Sequence, residues 1–208
     1  RLDTTSGLVK AMCFMPEKPK VFFSASAVGY YAEGENDEYS HKKADDFLGG
    51  LCEKWENEAK GVEGCGIRCV NMRFGIVIGK NGGALSQMLP PFRAGLGGRI
   101  GSGKQGFSWI HISDLAGAIE FLIDKSSSGA FNFTAPNPTT NKGLTEALGR
   151  ALHRPTLFPV PEFALRLLYS EGAKVLTSGQ KVYPKRLLEE GFEFSYQNIY
   201  DAVKDAIL

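Results

Sequence analysis

The segment Val21-Phe22-Phe23-Ser24-Ala25 constrains this chain more than any other. It is apolar without alternation, so both of its faces need cover, as in a central parallel strand. A parallel neighbour requires a crossover of a dozen or more residues, usually a helix. The sequence supplies one. Over residues 45–60, Phe47, Leu48, Leu51, Cys52, Trp55 and Ala59 form one stripe, with Glu53, Lys54, Glu56 and Lys60 off it. Residues 67–78 then form the longest β-rich run. Before the first strand, Leu2, Thr5, Leu8, Val9 and Met12 fall on helical spacing and predict a helix over 2–13. Helix then strand, twice over, predicts an α/β protein with a parallel sheet.

Composition narrows the function. The 208 residues are 43% hydrophobic, enough for one sizeable core. Lys+Arg (24) almost balance Asp+Glu (23), which argues against charge-driven binding to nucleic acid or to a membrane surface. No apolar run approaches the roughly 18 residues of a spanning helix. The opening Arg1-Leu2-Asp3-Thr4-Thr5 has no signal-peptide pattern. Cys13, Cys52, Cys65 and Cys69 form no C-x-x-C pair and His41, His111 and His153 are scattered, so no metal site is expected. The cysteines read as free thiols in a reducing compartment, the cytoplasm.

Further along, residues 79–107 read as a glycine-dense loop around Met88-Leu89-Pro90-Pro91-Phe92. Residues 107–112 read as a strand, and Ser113-Asp114 as the cap of a helix carrying Leu115, Ala118, Ile119, Leu122 and Ile123. Residues 130–134 form another strand, and Thr140-Asn141 cap another helix. From Pro155 the composition shifts. An apolar helix opens at Glu162, and an amphipathic helix with Ile199, Ala202, Val203, Ala206 and Ile207 ends the chain. The expected division is 1–154, an α/β part with a glycine-dense loop, and 155–208, a small, mainly helical subdomain.

Two motifs carry chemistry. Gly98-Arg99-Ile100-Gly101-Ser102-Gly103-Lys104-Gln105 falls one residue short of a phosphate-binding loop: Gln105 stands where a hydroxyl would hold magnesium, and a strand follows where a helix should. It reads as a tight turn from which Lys104 and Gln105 could reach a ligand. The second motif, Ser24-Ala25-Ser26-Ala27-Val28-Gly29-Tyr30-Tyr31, ends the first strand. In open α/β sheets ligands lie beyond the carboxyl ends of the strands, so these hydroxyls either meet a substrate or cap the strand.

Residues 21–31 resemble the serine strand of extended short-chain dehydrogenases/reductases, the nucleotide-sugar epimerase branch. The likeness continues through Val70-Asn71-Met72-Arg73-Phe74-Gly75, Gly82-Gly83-Ala84-Leu85, Met88-Leu89-Pro90-Pro91-Phe92-Arg93, Gly101-Ser102-Gly103 and Trp109-Ile110-His111-Ile112-Ser113-Asp114-Leu115, to Leu187-Leu188-Glu189-Glu190-Gly191-Phe192. In that order they resemble the NAD-dependent epimerase/dehydratase family with a C-terminal domain of unknown function. The resemblance covers essentially the whole chain. It implies a partial doubly wound, Rossmann-type sheet. It also implies NADP, or else NAD, as cofactor, and a small-molecule substrate such as a sugar nucleotide or another carbonyl compound. Ser26 matches the catalytic serine, with Tyr30 or Tyr31 as the nearest proton donor. Ser24 and Arg73 fall where the chain approaches the cofactor. Tyr31, Arg93, Gln105 and Trp109 are expected to face substrate. Arg73 also admits pairing with an acidic neighbour, Arg93 a solvated surface position and Trp109 a core position.

Two departures qualify the likeness. The family's glycine-rich first units are absent, so the chain is expected to be a fragment that does not bind the cofactor tightly alone. The Tyr-x-x-x-Lys pair is absent too: its helical positions are Leu48 and Cys52, while Tyr39 and Lys43 fit the letters only in the polar loop before the helix. An oxidoreductase or epimerase is therefore expected, with a non-catalytic, cofactor-binding sensor or interaction protein as the alternative.

Overall fold

A computed structural model describes residues 1–80, 82–156, 159–160 and 179–207. Helix α1 (Leu2–Phe14) leads to strand β1 (Val21–Ala27). Strand β2 (Gly34–Asn36) and helix α2 (Phe47–Lys60) follow. The long β-rich run divides into β3 (Arg68–Phe74) and β4 (Ile76–Ile78). Sequence periodicity shows one strand here, but the chain steps sideways at Gly75. A Cβ there would lie 2.8 Å from the Ser108 carbonyl oxygen, so only glycine permits the crossing.

The main sheet has the order β1-β3-β7, with β7 at Gly129–Phe133, and both pairings are parallel. Beyond Gly75, β4 pairs in parallel with β6 (Trp109–His111). Strand β5 (Gly106–Phe107) pairs antiparallel with β8 (Thr139–Thr140), and β2 pairs with β9 (Gln180–Val182). This is the parallel α/β, Rossmann-type arrangement that the first strand demands.

The helices cover both faces. Helix α4 (Ile112–Ile123) covers one, where Val70, Met72, Ile110, Leu122, Phe131 and Phe133 form a buried cluster. Helices α1 and α2 cover the other, where Val9, Ala59, Val62, Ile67 and Cys69 pack together. Helices α3 (Gly83–Arg93), α5 (Asn141–Leu152) and α7 (Ile199–Ile207) enclose a third cluster around Trp109, Leu144 and Leu148. A short helix, α6 (Lys185–Glu189), sets Leu187 into the α4-side cluster.

Several expectations change. The segment over 79–107 contains α3, although Pro90 and Pro91 argue for a loop; both fall in its last turns, and Leu85, Leu89 and Phe92 bury one stripe. Helix α4 is capped by His111, whose Nδ1 accepts the Ser113 N–H at 3.3 Å. Asp114 instead uses both carboxylate oxygens to accept the Ser195 and Tyr196 N–H groups (2.8 and 2.9 Å), tying down the chain ahead of α7. Thr140 caps α5 as expected, accepting the Gly143 N–H. The apolar helix opening at Glu162 lies outside the described residues. Cys13 and Cys65 form a disulfide joining α1 to the turn after α2, so only Cys52 and Cys69 are free, and the four-thiol argument for a reducing compartment falls. Among the described residues no group of His, Cys, Asp or Glu could hold a metal ion, and no helix is long and apolar enough to cross a membrane.

Candidate functional site

Strand register builds the site. Ser26 stands opposite Arg73, and Arg73 opposite Asn132, so three polar side chains form one row across β1, β3 and β7. Alternation places this row on the α2 side of the sheet, above the apolar pair Phe22 and Cys69. All three are buried, at 3%, 6% and 0% exposure. A guanidinium at such a position needs a counter-charge and hydrogen bonds.

Glu56 supplies the charge. Helix α2 presents Gly49, Cys52, Glu56 and Ala59 to the sheet, turning Phe47 out to 80% exposure and Leu48 to 39%. The expected stripe is thus rotated, and Glu56, which it leaves on the solvent side, is buried. Arg73 grips Glu56 with a two-pronged fork, Nε to Oε1 at 2.8 Å and Nη2 to Oε2 at 2.7 Å. Such charge-assisted pairs are the strong hydrogen bonds of proteins. Ser26 Oγ donates to the same Glu56 Oε1 at 2.7 Å. The remaining prong, Arg73 Nη1, donates to the Tyr31 hydroxyl (2.8 Å), which donates to Asn132 Oδ1 (2.9 Å).

The two tyrosines differ sharply. Tyr31 is fully buried, its hydroxyl spent between Arg73 and Asn132, and burial pushes its phenol up to about 12 against the pull of Arg73. Tyr30 is half-buried, with its ring 3.6 Å beneath the Arg73 guanidinium. Its hydroxyl has no hydrogen-bond partner among the described residues. The two rings meet edge to face, with centroids 5.3 Å apart, after a short 3-10 turn over Val28–Tyr30.

The loop from 32 to 46 closes over this end of the sheet. Lys43 bridges to Tyr31 through the backbone, and its ammonium pairs with Glu53 at 2.5 Å. Tyr39 faces elsewhere, donating to Glu189 at 2.6 Å, so the structure does not bring Tyr39 and Lys43 together. Glu38 accepts the Asn132 and Arg186 N–H groups, and burial raises its carboxyl above the usual range. Asn132 Nδ2 donates to the Tyr183 carbonyl. A continuous network therefore runs from Ser26 through Glu56, Arg73, Tyr31 and Asn132 to residues 183–186.

The other expected site residues divide. Ser24 is buried one row below Ser26, opposite Asn71. Arg73 lies inside the network, with its Nε and both terminal nitrogens engaged. Trp109 is fully buried in the core, its indole N–H reaching the Asn137 carbonyl. Arg93 is exposed at the end of α3. Gln105 is half-buried in the 101–106 turn, donating to the Ile100 carbonyl. Sequence patterning overlooks Glu56 and Asn132. The signal was Arg73 itself, a cation inside an apolar strand that requires a buried carboxylate nearby.

Comparisons with known proteins agree with this architecture. A family model described as "Domain of unknown function (DUF1731)" matches residues 160–206. The mouse epimerase family protein SDR39U1 is 42% identical over all of this chain, which spans 72% of it. A crystal structure of human epimerase family protein SDR39U1 (isoform 2) with NADPH superposes with a TM-score of 0.93 at 39% identity, covering 99% of this chain and 71% of that one. The nucleoside-diphosphate sugar epimerase of Corynebacterium glutamicum superposes with a TM-score of 0.80 at 27% identity, over all of this chain and 41% of its own.

Proposed function

The chain belongs to the SDR39U1 epimerase family, and on that premise we propose that it serves an NADP-dependent oxidoreductase or epimerase acting on a sugar nucleotide or another small carbonyl compound. The observation that carries this reading is the Tyr30 hydroxyl, held by the Arg73 stack at the carboxyl end of β1 and without a hydrogen-bond partner among the described residues. Tyr30 is the proton donor or acceptor in this reading, and the Glu56-bound Ser26 orients the substrate oxygen.

The residues present fit the nicotinamide end of the cofactor. The strand end offers the half-buried small groups Ala27 and Gly29, and a Cβ on Gly29 would lie 3.6 Å from the exposed Leu48 side chain. Bound there, a nicotinamide would give or take hydride. Arg73 acts from beneath: it fixes Tyr30 and Glu56 and leaves the cofactor phosphates to other groups.

One observation favours a second reading. Leu48 and Cys52 occupy the helical positions of the family's Tyr and Lys, and Cys52 is buried with its thiol pushed up by burial. Neither performs acid–base work there, as a protein that binds NADPH without turnover would require.

The test is NADPH titration by fluorescence, followed by NADPH consumption against a panel of carbonyl compounds and sugar nucleotides. Tyr30→Phe is expected to leave NADPH affinity, however weak, equal to that of the unaltered chain and to lose turnover. Turnover that survives both Tyr30→Phe and Ser26→Ala refutes the catalytic assignment. Binding without turnover by the unaltered chain selects the second reading.

A further inference from the structure

The C-terminal stretch matched by the domain of unknown function reaches the site through β9 and α6. Strand β9 lies parallel to β2, with Gly34 opposite Gln180 and Asn36 opposite Val182. Two glycines allow the approach. A Cβ on Gly106 would fall 2.6 Å from the Gln180 carbonyl carbon, and one on Gly179 would overlap the Gly106 carbonyl oxygen. The buried Ser108 hydroxyl then fastens the strand, donating to the Gln180 carbonyl at 2.8 Å and accepting the Val182 N–H at 2.9 Å. The backbone of Gln180 is therefore held without help from its side chain.

That side chain reaches the tyrosine turn. Gln180 Nε2 donates to the Tyr31 carbonyl at 2.8 Å, and no other described residue donates to that carbonyl. The residue after β9 holds the other end of the same tyrosine. The Tyr31 hydroxyl donates to Asn132 Oδ1 at 2.9 Å, while Asn132 Nδ2 donates to the Tyr183 carbonyl at 3.0 Å. Glu38 reinforces this end, accepting the Asn132 N–H on one oxygen and the Arg186 N–H on the other. Tyr31 is thus set at its backbone by Gln180 and at its hydroxyl, through Asn132, by Tyr183.

Burial decides which of these contacts matter. Lys181 with Glu35 and Lys185 with Asp37, both at 3.6 Å, are partly exposed pairs that stabilise little. Tyr31 and Asn132 are fully buried, and a polar group left unpaired at such a place keeps its full desolvation penalty. The amide bonds, not the rim charges, fix the turn.

We propose that positioning the tyrosine turn is a function of this C-terminal domain, and that Gln180 is its positioning residue. Gln180 holds Tyr31, Tyr31 accepts from Arg73 Nη1 at 2.8 Å, and the Arg73 guanidinium carries the Tyr30 ring at 3.6 Å. Contacts therefore run without a break from the C-terminal domain to Tyr30. The inference rests on the proposed function in one respect, the role of the Tyr30 hydroxyl; the hold on Tyr31 is independent of it.

The test uses the full chain without cofactor or substrate. Gln180→Met keeps the reach of the side chain and removes the donor. Nitration by tetranitromethane is followed at each tyrosine by peptide mass spectrometry, beside hydrogen exchange of residues 28–44 and of β3. Tyr31, buried and with its phenol pushed up to about 12, is expected to be inert in the parent and to nitrate at least tenfold faster in Gln180→Met. Exchange is expected to quicken at least tenfold over 28–44 and to keep the parent's rate in β3. Gln180→Lys, which returns a donor, is expected to restore the protection. Leu148→Ala, in the cluster around Trp109, controls for general loosening and is expected to leave Tyr31 inert. Four results would each overturn the proposal: Tyr31 inert in Gln180→Met, exchange quickened equally in β3, no recovery in Gln180→Lys, or Tyr31 equally reactive in Leu148→Ala. Turnover that survives Tyr30→Phe while Gln180→Met exposes Tyr31 would strike the catalytic assignment alone and leave the clamp standing.

Discussion

Replacing Glu56 by alanine leaves Arg73 charged and buried without its counter-ion. In the native chain the pair is 7% exposed on each side, with fork distances of 2.8 and 2.7 Å. Removing one partner of such a pair typically costs about 3–5 kcal/mol. Arg73 keeps its hydrogen bond to Tyr31 and its stacking on Tyr30, and a desolvated stack retains about 2 kcal/mol of that cation's stabilisation. The expected loss therefore sits at the low end, about 3 kcal/mol, which for a chain of this length lowers Tm by about 6–12 °C. Urea unfolding of Glu56→Ala, Arg73→Met and the double variant Glu56→Ala/Arg73→Met measures it. The double variant is expected to be more stable than Glu56→Ala, because it leaves no unpaired charge. A Glu56→Ala loss below about 1 kcal/mol, the worth of a surface ion pair, would show that water reaches the guanidinium and would refute the buried-pair argument. Strict additivity in the double variant would refute it equally.

Further outcomes follow from other parts of the fold. Tyr31 has a folded pKa of about 12 against an ordinary 10, so its neutral form stabilises the fold fully below pH 10, and that stability is lost as pH rises from 10 through 12. Tyr31→Phe is expected to flatten that part of the stability–pH curve, and an unchanged slope would place the alkaline transition elsewhere. Alkylation of the denatured, unreduced chain is expected to label Cys52 and Cys69 alone, and all four cysteines after reduction. With a sequence separation of 52 between the bridged positions, reduction is expected to lower stability by about 2–4 kcal/mol; equal melts with and without reductant would exclude the bond from the folded state. Gly106→Ala, which drives a Cβ onto the Gln180 backbone, is expected to cost about 1–3 kcal/mol, and a urea midpoint equal to the parent's would contradict the close approach.

The sequence makes the framework legible where periodicity is strong. The strand at 21–27, the helix at 47–60 and the closing helix at 199–207 stand where their patterns place them. Local rules mislead where a tertiary contact outweighs them. Two prolines argue against α3, yet Leu85, Leu89 and Phe92 gain more by burial than the prolines cost in its last turns. Ser113-Asp114 looks like a cap, but the imidazole of His111 takes that role, and Asp114 is drawn away by backbone donors over eighty residues distant. In the site, Ser26, Tyr30, Tyr31 and Arg73 are all visible as residues worth examining. Their division of labour is not, because it depends on how the fold sets two adjacent rings. Glu56 escapes because amphipathic patterning assigns charges to solvent, a rule that fails where the facing sheet itself carries a charge.

The row of Ser26, Arg73 and Asn132 also disciplines how the sheet assembles. Side chains alternate faces along a strand, so pairing β3 one residue out of step would turn Arg73 toward Ile110, Leu122 and Phe131. No carboxylate waits on that side of the sheet in this cluster, and the misplaced guanidinium would be stranded in hydrocarbon. This row accepts one alignment of three strands and one seating of α2. The same residues that hold Tyr30 and Ser26 at the strand ends thus act earlier, as a check on alignment while the chain is still finding its partners.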